Sequence, residues 1–201
     1  MLTLWERFKI DVADFLDPPE PIPAGRIKAK GPPYRMTFYY LADFEDPKTW
    51  MRKRKRDPVL TKIKLNGAYM DLPTGFMRAV KMQGSGQYMD AILNFTGGKR
   101  PRWVFQNPER YPWGRGAAGL ALHPFTSMAI DRVRVKLRRW YVIPELIGHE
   151  MPDGSIHNGR VRALDTGGAI KGRRIDFFIG KRSWWLWLLR RRWVRGLFKR
   201  K

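Results

Sequence analysis

The sequence predicts an all-β fold for most of its 201 residues. Short runs of β-branched and aromatic residues recur along the chain, as at residues 34–41 and 102–106, and such runs favour strands. Turn-forming residues separate them, because the chain contains 19 glycines and 15 prolines. A hydrophobic fraction of 43% is ordinary for a globular chain. The length suits one domain with an insertion.

The first 33 residues are predicted to form a short amphipathic helix followed by a proline-rich linker. Apolar residues recur near helical spacing between positions 4 and 16, and Pro18 and Pro19 would end the helix. This stretch lacks the apolar core and small-residue cleavage site of a signal peptide. No stretch is long and apolar enough to span a membrane, so export would need another route.

Residues 34–182 are expected to form the main domain, with an inserted β-rich lobe at about residues 43–115. The residue patterns predict strands at 34–41, 62–71, 74–83, 90–94, 102–106, 127–132 and 133–142. The last of these alternates basic and apolar residues, which indicates a half-buried strand with a basic outer side. For the charged stretch 43–58, a solvated face is favoured over a specific polyanion site. His157 follows a turn and is expected at the surface.

The charge of the chain predicts an anionic partner. Lys and Arg number 40 against 18 Asp and Glu, which gives a net charge of +22. Such an excess attracts nucleic acid, anionic lipid, lipopolysaccharide or an anionic cell wall, and charge alone does not choose among them. The absence of cysteine excludes disulfides, thiolate metal sites and a cysteine nucleophile. The three histidines lack metal-ligand spacing, so we expect neither a metal nor another cofactor.

Two carboxylates border a glycine-rich loop in residues 163–180, ALDTGGAIKGRRIDFFIG. An apolar run ends at Asp165, Gly167 and Gly168 follow, and Asp176 opens a second apolar run. Glycine lets the backbone turn tightly and lets a ligand approach closely, whereas acids carried by strands are rigidly placed. The pattern therefore indicates a functional site.

At these residues the chain resembles the membrane-bound lytic transglycosylase A family, whose barrel carries three aspartates. Further similarities occur in order over residues 34–181: the tyrosine pair Tyr39 and Tyr40, the MQGSGQ segment at 82–87, WVFQ at 103–106 and ALHPFTSMAIDR at 121–132. The resemblance implies a double-psi β-barrel. It also implies cleavage of the β-1,4 bond between N-acetylmuramic acid and N-acetylglucosamine in peptidoglycan, without water, to 1,6-anhydro products.

The resemblance also assigns the site residues. Asp176 matches the single catalytic acid, and Asp165 and Asp131 would orient the site and stabilise developing positive charge. A structural role in the loops stays open for both partners and is favoured for Asp131. The glycan would be bound by Tyr39, Gln83, Gly84, Ser85, Gly86, Thr166, Gly167 and Gly168. Because the acid must hold its proton near neutral pH, its pKa should be raised by apolar neighbours and by Asp165.

Residues 183–201 are predicted to be a cationic amphipathic helix rich in tryptophan. Such a helix suits an anionic membrane surface or lipopolysaccharide, and a terminal helix docked on the domain is an equal alternative. With the missing signal peptide, the tail favours a monomeric phage-type lysis enzyme that is held in the cytoplasm and acts on glycan strands in the periplasm. Nucleic acid is not expected as a partner. The alternative is a non-catalytic peptidoglycan-binding or carbohydrate-binding barrel.

Overall fold

The computed structural model describes residues 34–51, 59–65, 68–191 and 194. The predictions for the N-terminal helix and linker, for the arginine-rich stretch 52–56 and for most of the tail beyond residue 191 lie outside these ranges. Within the described residues, strands outnumber helices by far. The predicted predominance of β structure is therefore confirmed, although helices interrupt it.

The main sheet has five strands, and it carries the candidate site. They are β1 (Arg35–Tyr39), β8 (Ser127–Ile130), β9 (Trp140–Val142), β10 (Arg160–Asp165) and β11 (Arg174–Phe178), in the order β1-β11-β8-β10-β9. β1 runs parallel to β11, and β8 runs parallel to β10, while the β11–β8 and β10–β9 pairs are antiparallel. In the described residues this sheet is open, and a closed barrel is not seen.

A smaller lobe lies between β1 and β8 in the chain. Its four-stranded sheet consists of β2 (Ala42–Asp43), β5 (Ser85–Tyr88), β6 (Ala91–Thr96) and β7 (Arg102–Gln106) in that order. A hairpin of β3 (Leu60–Leu65) and β4 (Ala68–Pro73) leads into helix α1 (Thr74–Gln83). The lobe has a hydrophobic core of its own, in which Leu72, Phe76 and Leu93 are buried.

The prediction of a strand at residues 74–83 is wrong, because this segment is α1. Its buried residues Phe76, Met77 and Val80 recur at helical spacing and face the lobe core. Pro73 precedes the helix, and Gly84, with a φ of 87°, ends it. These are typical helix boundaries, so the sequence did contain the signal.

The prediction of a strand at residues 133–142 is also wrong for most of its length. The chain turns after Ile130, since the backbone carbonyl of Asp131 accepts from the amides of Arg134 and Val135. Val133, which the alternation placed inside, is 90% exposed. Only Trp140–Val142 forms a strand, namely β9. The alternation arises from a basic turn that buries Val135 and packs Leu137 partly against the core.

The two faces of the main sheet differ in character. One face buries a large apolar core that includes Met128, Ile130, Ile175 and Phe177. The other face bears a smaller cluster with Tyr39, Leu164 and Phe178. Because side chains alternate between the faces of a strand, Asp176, which lies between Ile175 and Phe177, points to the second face.

Helix α2 (Arg182–Leu189) packs against the large core. Leu188 is 1% exposed, and Trp184 lies 5.2 Å from the ring of Phe125 and 5.8 Å from that of Trp113. Of the two roles predicted for the C-terminal helix, these residues therefore show docking on the domain. No helix among the described residues has the length and apolarity needed to cross a membrane.

His157 is buried rather than at the surface, which corrects the expectation from its turn position. It is 6% exposed. One ring nitrogen, Nδ1, accepts from the amide of Gly159 at 2.7 Å, and the other, Nε2, lies 2.6 Å from the carbonyl oxygen of Phe125. The ring packs edge-on against Phe177. It therefore anchors the loop before β10 to the core.

Candidate active site

Two of the three predicted acids lie in one row across the main sheet. Asp176 on β11 and Asp165 on β10 are both register partners of Ala129 on the strand between them. Thr37 on β1 is the register partner of Asp176 on its other side. Register partners point to the same face of a sheet, so both carboxyl groups project from the second face. The side chain between them in this row is the small, buried one of Ala129.

A β-bulge brings Asp165 into this row. Ala163 pairs with Met128, and Asp165 pairs with the next residue, Ala129, so that Leu164 is the extra residue on β10. Without the bulge, Leu164 would take the position beside Ala129 and Asp165 would point to the opposite face. Bulges commonly redirect a side chain beside a functional site.

Asp176 is held in surroundings that favour its protonated form. Burial is the main cause that raises its pKa, and the negative charge of Asp165 adds to this effect. A hydrogen bond with Thr37 and the positive charge of Arg174 oppose the rise without cancelling it. Its Oδ1 is buried and has no hydrogen-bond partner among the described residues. An ionised oxygen there would lack any compensating donor, so the neutral acid is favoured.

Asp165 has the opposite kind of surroundings, because donors surround its carboxylate. Its Oδ1 accepts from the amide of Ala117 at 2.9 Å, and its Oδ2 accepts from the hydroxyl of Tyr39 at 3.3 Å. The amide of Thr166 also donates to it. Burial raises its pKa above the ordinary value, and these three hydrogen bonds oppose the rise without cancelling it. The pKa of both acids is therefore raised, but the carboxylate of Asp165 has more hydrogen-bond donors than that of Asp176.

Asp131 follows β8 and ties two loops together. Its Oδ1 accepts from the amide of Val133 at 3.1 Å, and its Oδ2 accepts from that of Gly172 at 2.7 Å. These two bonds are the main causes that hold its pKa below the ordinary value. Asp131 does not belong to the row of Asp165 and Asp176. The structure thus supports the structural role that the sequence favoured for it.

Tyr39 is the predicted contact that reaches the acids most directly. Its hydroxyl donates to Asp165, and its pKa is raised well above the ordinary value by burial first and then by the charges of Asp165 and Asp176. The ring is 5% exposed and packs against its register partner, Phe178. Tyr39 therefore lies beside both acids and holds one of them in place.

Gln83 and Gly84 end α1 beside the acid pair. The Oε1 of Gln83 accepts from the backbone amide of Tyr40 at 3.1 Å, which fixes the end of α1 to the end of β1. A Cβ on Gly84 would lie 3.8 Å from the Oδ2 of Asp165. The glycine turn of the lobe thus borders the site, as its predicted role requires.

The predicted contacts Ser85 and Gly86 are corrected, because both lie in the interior. Ser85 is 1% exposed, and its hydroxyl donates to the backbone oxygen of Trp113 at 3.3 Å. A Cβ on Gly86 would come within 2.5 Å of Val80, so this glycine allows α1 to pack closely on β5. Both residues shape the lobe, and neither offers a side chain to a ligand.

The loop of Thr166, Gly167 and Gly168 leaves the sheet directly beside Asp165. The carbonyl of Gly167 accepts from the amide of Ile170 in a tight turn, and Gly168 is exposed with open space around its Cα. Arg174 braces this loop by donating to the carbonyl of Ala169 at 3.1 Å. Lys171 is exposed and acts on the pKa of Asp131 rather than on either acid of the row.

Sequence reasoning missed several residues that build the site. Thr37 and Ala129 become neighbours of the acids only through strand pairing. Asn94 is 4% exposed and joins the lobe to the site, because its Nδ2 donates to the carbonyls of Gly84 and Arg115 and its Oδ1 accepts from the amide of Arg115. An Asn at the end of an apolar strand was the available signal, since buried amides form such links.

Taken together, the site contains two carboxyl groups with unequal surroundings. Pairs of carboxyls whose environments separate their proton affinities are typical of enzymes that transfer protons to and from a substrate. Residues 126–184 match the family model of the 3D domain, and this stretch contains Asp131, Asp165 and Asp176. The chain therefore contains a 3D domain, and the three-aspartate family inferred from the sequence is confirmed for these residues.

Comparison with solved structures gives matches to Escherichia coli MltA. The crystal structure of E. coli MltA with bound chitohexaose matches with a TM-score of 0.45 and 16% identity, over 73% of this chain and 64% of that chain. A second crystal structure of E. coli MltA, a lytic transglycosylase fold, matches with a TM-score of 0.38 and 17% identity, over 72% and 64%. This chain thus spans less than two thirds of those proteins. No curated protein sequence matches it.

Proposed function

We propose that this protein is a peptidoglycan lytic transglycosylase built on a double-psi β-barrel, with Asp176 as its catalytic acid. The observation that carries the proposal is the contrast between the two acids of the row. Asp176 keeps a buried, unpartnered oxygen and a raised pKa, while Asp165 receives three hydrogen bonds. One acid is thus suited to donate a proton and the other to remain charged.

In the proposed reaction, Asp176 donates its proton to the glycosidic oxygen as the bond from that oxygen to C1 of N-acetylmuramic acid breaks. N-acetylglucosamine leaves with this proton on its O4. Positive charge develops at C1, and the carboxylate of Asp165 lies on the same face of the sheet to stabilise it. Tyr39 orients Asp165 through its hydroxyl.

The Asp176 carboxylate then accepts the proton of the muramyl C6 hydroxyl. The C6 oxygen bonds to C1 and closes the 1,6-anhydro ring, which regenerates the acid without consuming water. A hydrolase would need a second carboxylate to activate water. In this site the second acid, Asp165, already accepts hydrogen bonds from Ala117, Thr166 and Tyr39. This favours the route without water.

The glycan partner is proposed from the same features. E. coli MltA has been crystallised with bound chitohexaose, and a comparable β-1,4-linked chain is the proposed ligand here. An anionic membrane or lipopolysaccharide partner for residues 183–201, action in the periplasm, phage-type lysis and a monomeric state stay predictions. Because α2 docks on the core through Leu188, a membrane contact would use its exposed side, which includes Leu186, and the residues that follow it.

The test is digestion of purified peptidoglycan by the unaltered protein, Asp176→Asn and Asp153→Asn. Asp153 is an exposed turn residue, so its variant controls for the loss of one carboxylate. Released muropeptides are identified by mass spectrometry. We expect 1,6-anhydro ends from the unaltered protein and from Asp153→Asn, and none from Asp176→Asn.

Two outcomes would contradict the proposal. Reducing ends in place of anhydro ends would make the protein a hydrolase. Sedimentation of the protein with peptidoglycan without any release, by all three forms, would favour the non-catalytic binding protein that the fold also permits.

A further inference from the structure

Beside the acid pair, two arginines converge on one glycine. The position that a Cβ on Gly119 would occupy lies 3.4 Å from an Nη of Arg115 and 3.9 Å from an Nη of Arg138. Because Gly119 has no Cβ, this space is open between the two guanidinium groups. Gly119 has a φ of 82°, a conformation that glycine adopts without strain.

Both side chains are held in this arrangement by the backbone of the same loop. Arg138 donates to the carbonyl of Ala118 through Nε at 3.2 Å and through Nη2 at 2.8 Å. Arg115 donates to the carbonyl of Gly119 through Nε at 3.3 Å. The backbone of Arg138 is fixed as well, since its carbonyl accepts from the Nε of Arg162. These hydrogen bonds hold both exposed guanidinium groups against the same loop.

Arg138 also adopts an unfavourable backbone conformation. Its φ is 66°, a backbone conformation that is strained for a non-glycine residue. The amide of Arg138 donates to the carbonyl of Ala163 on β10 at 2.7 Å, which helps to hold this conformation. Strain of this kind persists where the surroundings impose it, and it often accompanies a functional site.

Among the described residues, neither Arg115 nor Arg138 is seen in an ion pair with an acid. Ion pairs such as Arg182 with Asp46 and Arg191 with Glu150 involve other parts of the chain. Two adjacent guanidinium groups without a carboxylate repel each other. The arrangement therefore favours an anion, and planar guanidinium groups suit the geometry of a carboxylate.

The arginine pair is directly linked to the candidate active site. The amide of Ala117 donates to Asp165, and the carbonyl of the next residue, Ala118, accepts from Arg138. A ligand whose glycosidic bond lies at the acids would thus present a neighbouring substituent to the arginines. In peptidoglycan the anionic substituent of the sugar chain is the lactyl group of N-acetylmuramic acid, or the peptide stem attached to it.

We propose that Arg115 and Arg138 form a carboxylate-binding subsite for the acidic peptide stem on the muramyl residue. This inference rests on the proposed function and deepens it, because it makes the enzyme selective for stem-bearing glycan. A neutral β-1,4 chain would bind only through the groove, whereas a stem-bearing chain would gain charge-assisted hydrogen bonds.

The test measures binding rather than cleavage, in the Asp176→Asn background, so that no ligand is consumed. Isothermal titration compares three ligands: a muramyl tetrasaccharide with peptide stems, the same tetrasaccharide with its stems removed, and chitohexaose. The variants are Arg115→Gln, Arg138→Gln and the conservative Arg138→Lys. Arg100→Gln, in the exposed turn between β6 and β7, is the control for the loss of one positive charge.

Arg115→Gln and Arg138→Gln should each weaken binding of the stem-bearing ligand by about 10- to 100-fold, the range for hydrogen bonds to a charged group. Their affinity for chitohexaose, and all affinities of Arg100→Gln, should stay within about twofold, the range of a surface change remote from the ligand. The loss of affinity in Arg138→Lys should be smaller than that in Arg138→Gln, because lysine keeps the positive charge but lacks the paired N–H donors of the guanidinium group. Added salt should weaken binding of the stem-bearing ligand more than binding of chitohexaose.

Several results would overturn the inference. An equal loss for all three ligands would mean that the arginines only support the fold of the loop. Equal affinity in variants and parent would mean that they bind no carboxylate. The same loss for the stem-free tetrasaccharide would assign the site to the lactyl carboxylate instead. If no saccharide binds the parent protein, the glycan-directed function itself fails, and this inference fails with it.

Discussion

Asp131 directly follows β8, and Asp176 lies on the neighbouring strand β11, yet their carboxyl groups have opposite surroundings. Asp131 accepts two backbone amides, and its pKa is lowered by them. Asp176 has a buried oxygen without a partner, and burial raises its pKa. The first carboxylate is satisfied and holds loops together. The second is left unsatisfied, which is costly for folding and useful for donating a proton.

The contrast shows that the three aspartates of this domain are not equivalent. A sequence motif places the same residue type at three positions, but burial raises the pKa of Asp176 and Asp165 whereas hydrogen bonds lower that of Asp131. The surroundings of Asp165 are intermediate between those of Asp131 and Asp176, since its carboxyl group is buried and also accepts hydrogen bonds. Substitutions at these positions should therefore separate activity from stability.

The largest expected effect is the loss of activity in Asp176→Asn. General acid–base catalysis contributes about 10²- to 10⁴-fold to rate, so release of anhydro-muropeptides should fall by that factor. Stability should change in the other direction. The folded-state pKa of Asp176 is raised, so its favourable contribution is present at low pH and is lost as pH rises through that pKa.

The Tm of Asp176→Asn should therefore equal or exceed that of the unaltered protein, most clearly at the alkaline end of the range. Calorimetry across pH measures this difference. A clear fall in Tm at neutral pH, parallel to the loss of activity, would show that Asp176 is a structural residue and would remove the basis of the comparison.

The second effect is a loss of stability in Asp131→Asn. The amide keeps one acceptor oxygen and sets an NH2 group against the second backbone amide, at Val133 or Gly172. Tm should fall by several degrees at neutral pH. Because the folded-state pKa is lowered, this contribution is present above the ordinary value of 3.8 and is lost as pH falls through the folded pKa.

The deficit of Asp131→Asn should therefore shrink in acid, which thermal denaturation at several pH values would reveal. Anhydro-muropeptide release by the folded fraction should persist. If the variant is fully folded but inactive, Asp131 has a catalytic part that its hydrogen bonds do not indicate.

Much of this arrangement could be predicted from the sequence, because local patterns fixed it. The apolar run before Asp165 and the second apolar run, which Asp176 opens, indicated two strands beside a glycine loop. Long-range pairing could not be predicted. Neither the bulge at Leu164 nor the place of Ala129 between the acids leaves a local signal, since both depend on how β8 lies between β10 and β11.

The wrong predictions also have physical causes. In α1, the residues Phe76, Met77 and Val80 fit a helical period, but the surrounding strands suggested another strand. The basic and apolar alternation at residues 133–138 imitates a strand, while the hydrogen bonds from Arg134 and Val135 to Asp131 impose a turn. In the second case, local hydrogen bonds of the turn prevail over the strand propensity of the alternating residues.

A third, smaller effect is a shift of the pH profile of activity. Asp176 must be protonated to act, so activity should be lost as pH rises through its pKa. Asp165→Asn removes a charge that raises this pKa, and the alkaline limb should move to lower pH. Thr37→Val removes a hydrogen bond that lowers it, and the limb should move to higher pH.

Initial rates of muropeptide release, measured across pH for each variant, give the position of the alkaline limb. The alkaline limb must shift in opposite directions in the two variants. A general loss of structure would shift it in the same direction in both variants, or not at all. Shifts of equal sign would mean that Asp176 does not set the alkaline limb.

The smallest expected effect concerns His157, which separates burial from hydrogen bonding as causes of a pKa shift. Its ring is fully hydrogen-bonded in the neutral form, with Nε2–H donating to Phe125 and Nδ1 accepting from Gly159. Burial is nevertheless the main cause that lowers its pKa below 6.5, against smaller opposing effects from Phe125 and Asp153. Protonation at Nδ1 would break the bond from Gly159.

Because the unfolded chain binds this proton more readily, His157 should destabilise the fold as pH falls below 6.5. Asp176 contributes with the opposite sign, so the measurement is made in Asp176→Asn. The urea concentration at the unfolding midpoint of Asp176→Asn should be lower at about pH 5.5 than at about pH 7.5. Adding His157→Gln should reduce this difference. An undiminished fall in His157→Gln would place the acid sensitivity in another group. A reduced fall would show that a satisfied buried ring still resists its proton, so hydrogen bonding alone would not explain the difference between Asp131 and Asp176.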